Sequence, residues 1–535
     1  MRLALVFLLA VGLFLPTTRY GFVQDDRGVI VHNPAAHSVP AAIRAFDKAY
    51  WPPPARGGLY RPVTILTYAV DWELSAGASS WFHFVNAVLH GIVCVLVVLV
   101  FERWLPAVGA VAAGLVFAVH PVHVEGVASV VSRAELLVAT GMLAAVLAAR
   151  RGWWVAAVLA ATLAMFSKEH GVITGVVIMI DDWLRPRGTR RYPILFYASL
   201  AAVTIGYLGV WYAVGRGATA DVAPPFLGVG ASGRLAVALP AILRAARLLV
   251  WPLDLSADYT PQVIPAPGAF GAAALVGVIV VLGVLMLALR TRRGAPALCF
   301  AAAVAALAYL PTSNLLFASG VVLAERNLYL PVLLVAVLAG MGAMVIALRT
   351  LSYRRTAAAI AAMVFVLGAR SARRLPVWRD NRALLLTTLV EHPESYRAHF
   401  SAAAVYAGMG QPAAARREYA VADSLFPRDP HLLAAWGFYL LGLGDTVHVA
   451  DRVALARALD PRQPIALRAS FLLDVRRGDC TRARTMADSA QAWFPAEASW
   501  YAASLRGASG RCVRPSASQK AGVSVRIRGF NFDTW

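Results

Sequence analysis

Lysine is almost missing from this 535-residue chain: Lys48, Lys168 and Lys520 are the only ones among 50 basic residues, the rest being Arg. Acid is scarce as well, with 29 Asp and Glu, and the formal net charge is +21. Such an excess can mark nucleic-acid binding. No basic stripe interleaved with aromatics occurs, however, and much of the excess lies in short loops between apolar runs, where it reads as a topology signal. Cysteine is nearly absent too, at four residues. Cys94 and Cys299 lie in apolar runs and read as packing residues. Cys480 and Cys512 lie near the C-terminus; they can pair if that region is outside the cytoplasm, and the sequence leaves this open. A small-x-small cleavage site is also missing after the first apolar run, residues 3–16. That run therefore reads as a retained short span rather than a cleaved signal peptide.

What the chain has in abundance is apolar residues, 59% of the total, against about 45–50% in a soluble domain. They gather in runs at 3–16, 82–101, 108–119, 136–149, 153–166, 172–183, 194–214, 270–289, 295–310, 328–348 and 357–367. Several are shorter than the ~20 residues of a perpendicular span. Arg103, Arg150 with Arg151, Arg185 to Arg191, Arg290 to Arg293 and Arg349 to Arg355 fall in every second loop. The positive-inside rule makes those loops cytoplasmic. The expectation is about eleven spans, an inside N-terminus and an outside C-terminus. Residues 234–250 are expected to lie at the outer interface, with Arg244 and Arg247 near headgroups. The outer segments would be 17–81, 120–133, 167–170, 215–268, 311–327 and everything after Ser371.

The C-terminal region repeats. Pro393, Pro427, Pro461 and Pro495 are 34 residues apart, and Gly410, Gly444, Gly478 and Ala422, Ala456, Ala490 keep the same period. A 34-residue period is that of tetratricopeptide repeats. Glycine closes the turn between paired helices, alanine lets them pack, and proline ends the second helix. Three repeats are expected at 394–427, 428–461 and 462–495, with 496–507 as a cap. The domain plan is a membrane domain over 1–371, a linker over 372–393, a repeat domain over 394–507 and a tail over 508–535. Such stacks present a concave surface to peptides or partner proteins; a purely structural cap is the rival reading.

Candidate chemistry lies in the outer segments. Asp25 and Asp26 follow the first span. Either can serve as a general base toward a hydroxyl, and a solvated loop start explains them equally well. His83, Asn86 and His90 share one face of an apolar helix, lining a polar cavity or bonding between helices. His120, His123 and Glu125 make a polar cluster. A divalent metal there stays open, although the spacing matches no compact zinc signature, and no metal ligand is assigned. Lys168 and Glu169 would pair with each other or a ligand. Arg326, beside Glu325, suits a lipid phosphate, with snorkelling to ordinary lipid as the alternative.

These stretches look familiar as an ordered set: residues 22–26, Tyr60-Arg61-Pro62, 82–86 with His90, 120–125, 166–171, 251–256, 325–331 and Trp378-Arg379-Asp380-Asn381. Together they resemble the GT-C superfamily of membrane glycosyltransferases. The closer resemblance is to the transmembrane-and-tetratricopeptide-repeat protein O-mannosyltransferases, over about residues 1–500. The resemblance implies an all-α, polytopic GT-C-type membrane domain with a C-terminal tetratricopeptide α-solenoid. It implies an enzyme that moves a sugar, mannose being the candidate, from a polyprenyl-phosphate donor to a hydroxyl, expected on protein Ser or Thr, on the extracytoplasmic side. Asp25 or Asp26 would be the catalytic base. Arg326, Lys168 and Arg133 would hold the donor phosphate. Tyr60, Arg61, His83, Asn86, His90, His120, His123, Glu125, Glu169 and Glu325 would line the cavity. The repeats would bring the acceptor protein or peptide.

A non-catalytic membrane-anchored repeat scaffold for envelope assembly is the rival, and it does not need the outward polar set. A flippase would need charges at mid-membrane on several helices and internal symmetry; neither is seen. The Ala- and Arg-rich composition suggests a high-GC bacterium, hence an inner membrane with the repeats in the periplasm. No cofactor is assigned, and no nucleic-acid partner.

Overall fold

Long uncharged apolar stretches can satisfy their backbone in a bilayer only as helices, and helices are what the chain forms. The computed structural model describes residues 1–52, 58–186, 189, 191–215, 222–226, 228–259, 263–264, 270–494 and 497–512, the last seven as backbone only. Among the described residues there is no strand. The chain divides into two units, one ending at Glu391 and one beginning at His392.

The first unit opens with α1 (Arg2–Phe14), α2 (Val39–Arg44), α3 (Pro62–Ser75), α4 (Ser79–Phe101), α5 (Ala107–Val119), α6 (His123–Ala128) and α7 (Arg133–Arg150). It continues through α8 (Trp154–Ser167), α9 (Thr174–Trp183), α10 (Ile194–Gly215), α11 (Ala231–Val250), α12 (Ala272–Thr291) and α13 (Pro296–Tyr309). It ends with α14 (Val332–Thr350), α15 (Tyr353–Arg374) and α16 (Asn381–Glu391). Among the described residues, seven segments are long and apolar enough to cross a membrane, those built on α1, α4, α7, α10, α12, α14 and α15. α5, α8 and α13 are apolar but shorter. α9 completes the eleven expected runs.

Ion pairs mark one end of this bundle. Arg2 on α1 meets Glu102 after α4 at 2.8 Å. Asp181 on α9 takes Arg150 from α7 at 2.6 Å and Arg103 at 3.2 Å. Arg292 after α12 lies over the Trp183 ring. The segments between α8 and α9, and between α1 and α4, lie at the opposite end. The short α8 and α9 therefore form a hairpin: Asp181 returns to Arg150, and a Cβ on Gly171 would strike the Ala164 carbonyl at its apex. Helices α5 and α14 cross where a Cβ at Gly340 would strike the carbonyl of Gly109, a small-residue contact of the kind that holds membrane helices together. α11 is not among the apolar spans; its Leu239 packs against Gly277 of α12.

Residues 372–393, expected as a linker, include the last turn of α15 and all of α16. The second unit contains α17 (Tyr396–Gly408), α18 (Pro412–Leu425), α19 (Pro430–Gly442), α20 (Thr446–Leu459), α21 (Pro464–Arg477), α22 (Cys480–Trp493) and α23 (Ala498–Cys512). Helices pair in sequence order, each pair closed by a glycine at positive φ: Gly410 at 69°, Gly444 at 86° and Gly478 at 76°. Only glycine holds that conformation without a Cβ clash. Small Ala422, Ala456 and Ala490 are buried between helices. Cys480 is disulfide-bonded, whereas Cys94 and Cys299 are free and buried. The side chain of Cys512 and residues 513–535 lie outside the described residues.

Candidate active site

At the end of the first unit opposite Arg103 and Arg150, six separate segments bring their charges together. The first carries Asp25 and Asp26 in a turn after α1. Asp26 is fully buried. One oxygen accepts the Val23 N–H at 3.0 Å and the other the Val131 N–H at 2.8 Å. Asp25 is half-buried and takes no hydrogen bond from the described residues, yet its charge is felt by both Arg326 and Asp26. The two neighbours thus differ: Asp26 ties the turn to the segment before α7, and Asp25 stays unbonded within electrostatic reach of Arg326.

Burial pushes the Asp26 carboxyl up to about 7, against the backbone donors that pull it down. The folded protein then keeps a proton that an unfolded carboxyl, at about 4, has released. Folding stability from this group is present at low pH and is lost as pH rises toward about 7. The unfolding temperature in detergent should therefore fall between about pH 5 and about pH 8, and fall less in Asp26→Asn. An equal fall in both proteins would refute this.

The other segments supply three ion pairs side by side. Arg326, just before α14, donates from Nη1 to Glu125 Oε1 at 2.6 Å, and its backbone N–H meets Glu125 Oε2 at 2.9 Å. Its Nε and Nη2 have no protein acceptor among the described residues, and the side chain is 27% exposed. Lys168, at the α8–α9 apex, bonds Glu135 of α7 and lies 3.4 Å from Asn327 Oδ1. His170 reaches the other Glu135 oxygen at 3.4 Å. Arg61 grips Glu169 with Nε and Nη2 at 2.8–3.1 Å while its guanidinium lies over the Tyr50 ring. Lys168 and Glu169 thus each take a partner from another helix rather than each other. Burial lowers the Lys168 ammonium, and Arg61 and Arg326 sharpen this by like charge, while Glu135 opposes it. Breaking the buried Lys168–Glu135 pair, or taking Arg326 from the buried Glu125, leaves a charge uncompensated.

Much of the remaining polar set is structural. Arg133 is fully buried, donating to Asn86 Oδ1 at 2.8 Å and Phe82 O at 3.0 Å and pairing with Asp71. His90 bonds the Tyr329 hydroxyl at 2.8 Å and Ala118 O at 3.0 Å. His83 contacts Gly21 O, His120 contacts Leu249 O, and His123 contacts Tyr329 O, at 3.0–3.3 Å. These side chains lock neighbouring helices. Tyr60 gives its N–H to Glu169 and its hydroxyl to Phe46 O. Among the described residues no group of three His, Cys, Asp or Glu is arranged to hold a metal ion. Glu325 accepts from the Ser256 N–H at 2.6 Å and the Tyr259 hydroxyl at 2.9 Å, and burial pushes it up to about 8.

Glu135, Tyr50 and Asn327 join the site without having been singled out from sequence. Glu135 had a usable signal, a carboxylate in the first turn of a membrane-crossing helix. Beside His120 runs an apolar groove of about 560 Å³, lined by Val116, Leu249, Leu338, Met363 and Val366 from α5, α11, α14 and α15.

Fold and site together define a polytopic helical membrane protein with a charged centre at one end of its bundle. Its relatives carry one description. A Caenorhabditis elegans protein O-mannosyl-transferase is 26% identical over 420 residues, covering 76% of this chain and 60% of that protein. Human protein O-mannosyl-transferase TMTC4 is 26% identical over 472 residues, 74% of this chain and 63% of the human one. Drosophila melanogaster Tmtc2, also a protein O-mannosyl-transferase, is 40% identical over 134 residues, 24% of this chain and 14% of its own length. The chain thus resembles the TMTC protein O-mannosyl-transferases over much of its length, as its ordered motifs implied. It spans less than two thirds of each of these three relatives. No protein-family model matches it, and no solved structure matches it.

Proposed function

We propose that the protein is a membrane glycosyltransferase of GT-C type that transfers a sugar, mannose by the names of its relatives, from a polyprenyl phosphate to a protein Ser or Thr hydroxyl. The observation that carries this reading is the unbonded Asp25 carboxylate within electrostatic reach of Arg326, whose Nε and Nη2 have no acceptor among the described residues. Asp25 takes the proton of the acceptor hydroxyl as its oxygen attacks the anomeric carbon. The bond from that carbon to the phosphate oxygen breaks, and the polyprenyl phosphate leaves with the electron pair. Arg326 offsets the charge gathering on it, with Lys168 close by. Asp26 supports the turn. The groove beside His120 suits an isoprenoid chain, because its walls are apolar side chains of bilayer helices.

The reading includes orientation. With Arg103, Arg150 and Arg185 cytoplasmic, the site and the repeats face outward, in a bacterium the periplasm. Residues 392–512 then form a tetratricopeptide-type stack that brings the acceptor. A bare scaffold would have no use for an unbonded carboxylate among three buried or half-buried ion pairs.

The test is direct. Purified protein in nanodiscs receives radiolabelled polyprenyl-phosphate mannose and a Ser/Thr-rich peptide. Label is expected in the peptide, and its release by alkaline β-elimination, leaving a dehydroamino acid, identifies an O-glycoside on Ser or Thr. Transfer of another sugar alone would replace mannose; no transfer from any polyprenyl-phosphate sugar would end the enzyme reading.

A further inference from the structure

Gln24 has φ at +43°, a left-handed conformation that glycine adopts freely and other residues hold only when their surroundings enforce it. Here the enforcing contact comes from far along the chain. The Gln24 N–H donates to Asn381 Oδ1 at 2.6 Å. Next to it, the Gly21 N–H donates to the Arg379 carbonyl at 3.0 Å. The Asn381 side chain is itself on a fixed base: Asp380 accepts the Ala383 N–H at 2.7 Å and so caps α16. On the far side of the turn, Asp26 is anchored to the Val23 and Val131 N–H groups. Asp25 is thus the one unbonded acid in a turn pinned on both flanks.

We propose that Asn381 is a positioning residue: it holds the left-handed turn at Gln24 and thereby fixes where the Asp25 carboxylate sits. This rests on Asp25 being the base. Without the Asn381 acceptor, Gln24 can relax to negative φ, the peptide on either side of Asp25 rotates, and the carboxylate leaves its place. Donor binding, which falls to Arg326 and Lys168, is not touched.

The test compares Asn381→Ala, Asn381→Asp, and Asn381→Ala combined with Gln24→Asn in the full-length protein, with the transfer assay above. Asn381→Ala should lower kcat about 10-fold, since small misplacements of a reacting group are costly, with donor KM within about twofold. Asn381→Asp keeps an acceptor oxygen and should retain most of kcat. Gln24→Asn should restore part of the loss, because Asn enters the left-handed region more readily than Gln. Hydrogen exchange over residues 22–28 reads the turn whatever the sugar: faster in Asn381→Ala, unchanged in Asn381→Asp. The role is overturned if exchange is unchanged in Asn381→Ala, if Asn381→Asp loses as much kcat as Asn381→Ala, or if the loss appears in KM. A wild-type protein without transfer would reject the catalytic reading alone, since exchange still reports whether Asn381 holds the turn.

Discussion

Asp25→Asn is expected to abolish sugar transfer, by roughly 10³-fold, because a general base supplies 10²–10⁴ of the rate, while thermal stability stays close to wild type. The carboxylate accepts no hydrogen bond from the described residues, so the amide removes the proton acceptor and disturbs little else. Asp26→Asn should behave in the opposite sense. Both Asp26 oxygens accept backbone N–H groups in a buried setting. An amide there turns an NH₂ toward one of those donors, and the unmet bond costs about 1–3 kcal/mol. Transfer rates and unfolding temperatures of the two variants separate the roles. Full activity in Asp25→Asn would remove it as the base, and loss of activity without loss of stability in Asp26→Asn would hand the role to its neighbour.

Arg326→Met should reduce kcat by about 10²–10³, the usual effect of deleting a group that stabilises developing negative charge. It should also destabilise the protein by about 3–5 kcal/mol, because Glu125 is left charged, buried and unpaired. Arg326→Lys divides these effects. An ammonium keeps the pair with Glu125, which is buried at 2% exposure, but it lacks the forked donors that meet a phosphate bidentately. Stability should then be near wild type while kcat/KM for the donor falls at least about 10-fold. Kinetics with varied donor, set beside melting curves, read the two consequences apart. Unimpaired transfer in Arg326→Met would exclude the phosphate role.

The structure also distinguishes acids and bases that look alike in sequence. Two adjacent aspartates give no local sign of which will be buried. That is decided by Val131, more than a hundred residues away, whose N–H meets Asp26. Lys168-Glu169 invites a pair within the apex, but the two side chains diverge to Glu135 and Arg61. The histidines at 83, 90, 120 and 123 suggest chemistry by type, yet their bonds run to backbone carbonyls and a tyrosine of neighbouring segments. Arg133 resembles Arg326 in sequence setting, and only its complete burial by Asn86, Asp71 and Phe82 distinguishes it.

Helix character, the alternation of ends and the 34-residue register were present in the sequence by itself. They depend on hydrophobic run length, on the side of each arginine loop, and on the recurrence of glycine and alanine, all of which are local. Which carboxylate stays unbonded, which arginine keeps free donors, and which residue holds the Gln24 turn were decided only in the tertiary structure. Hydrogen bonds and ion pairs saturate: each donor or acceptor taken by one partner is withdrawn from another, and the partners here come from segments that meet only when the bundle closes.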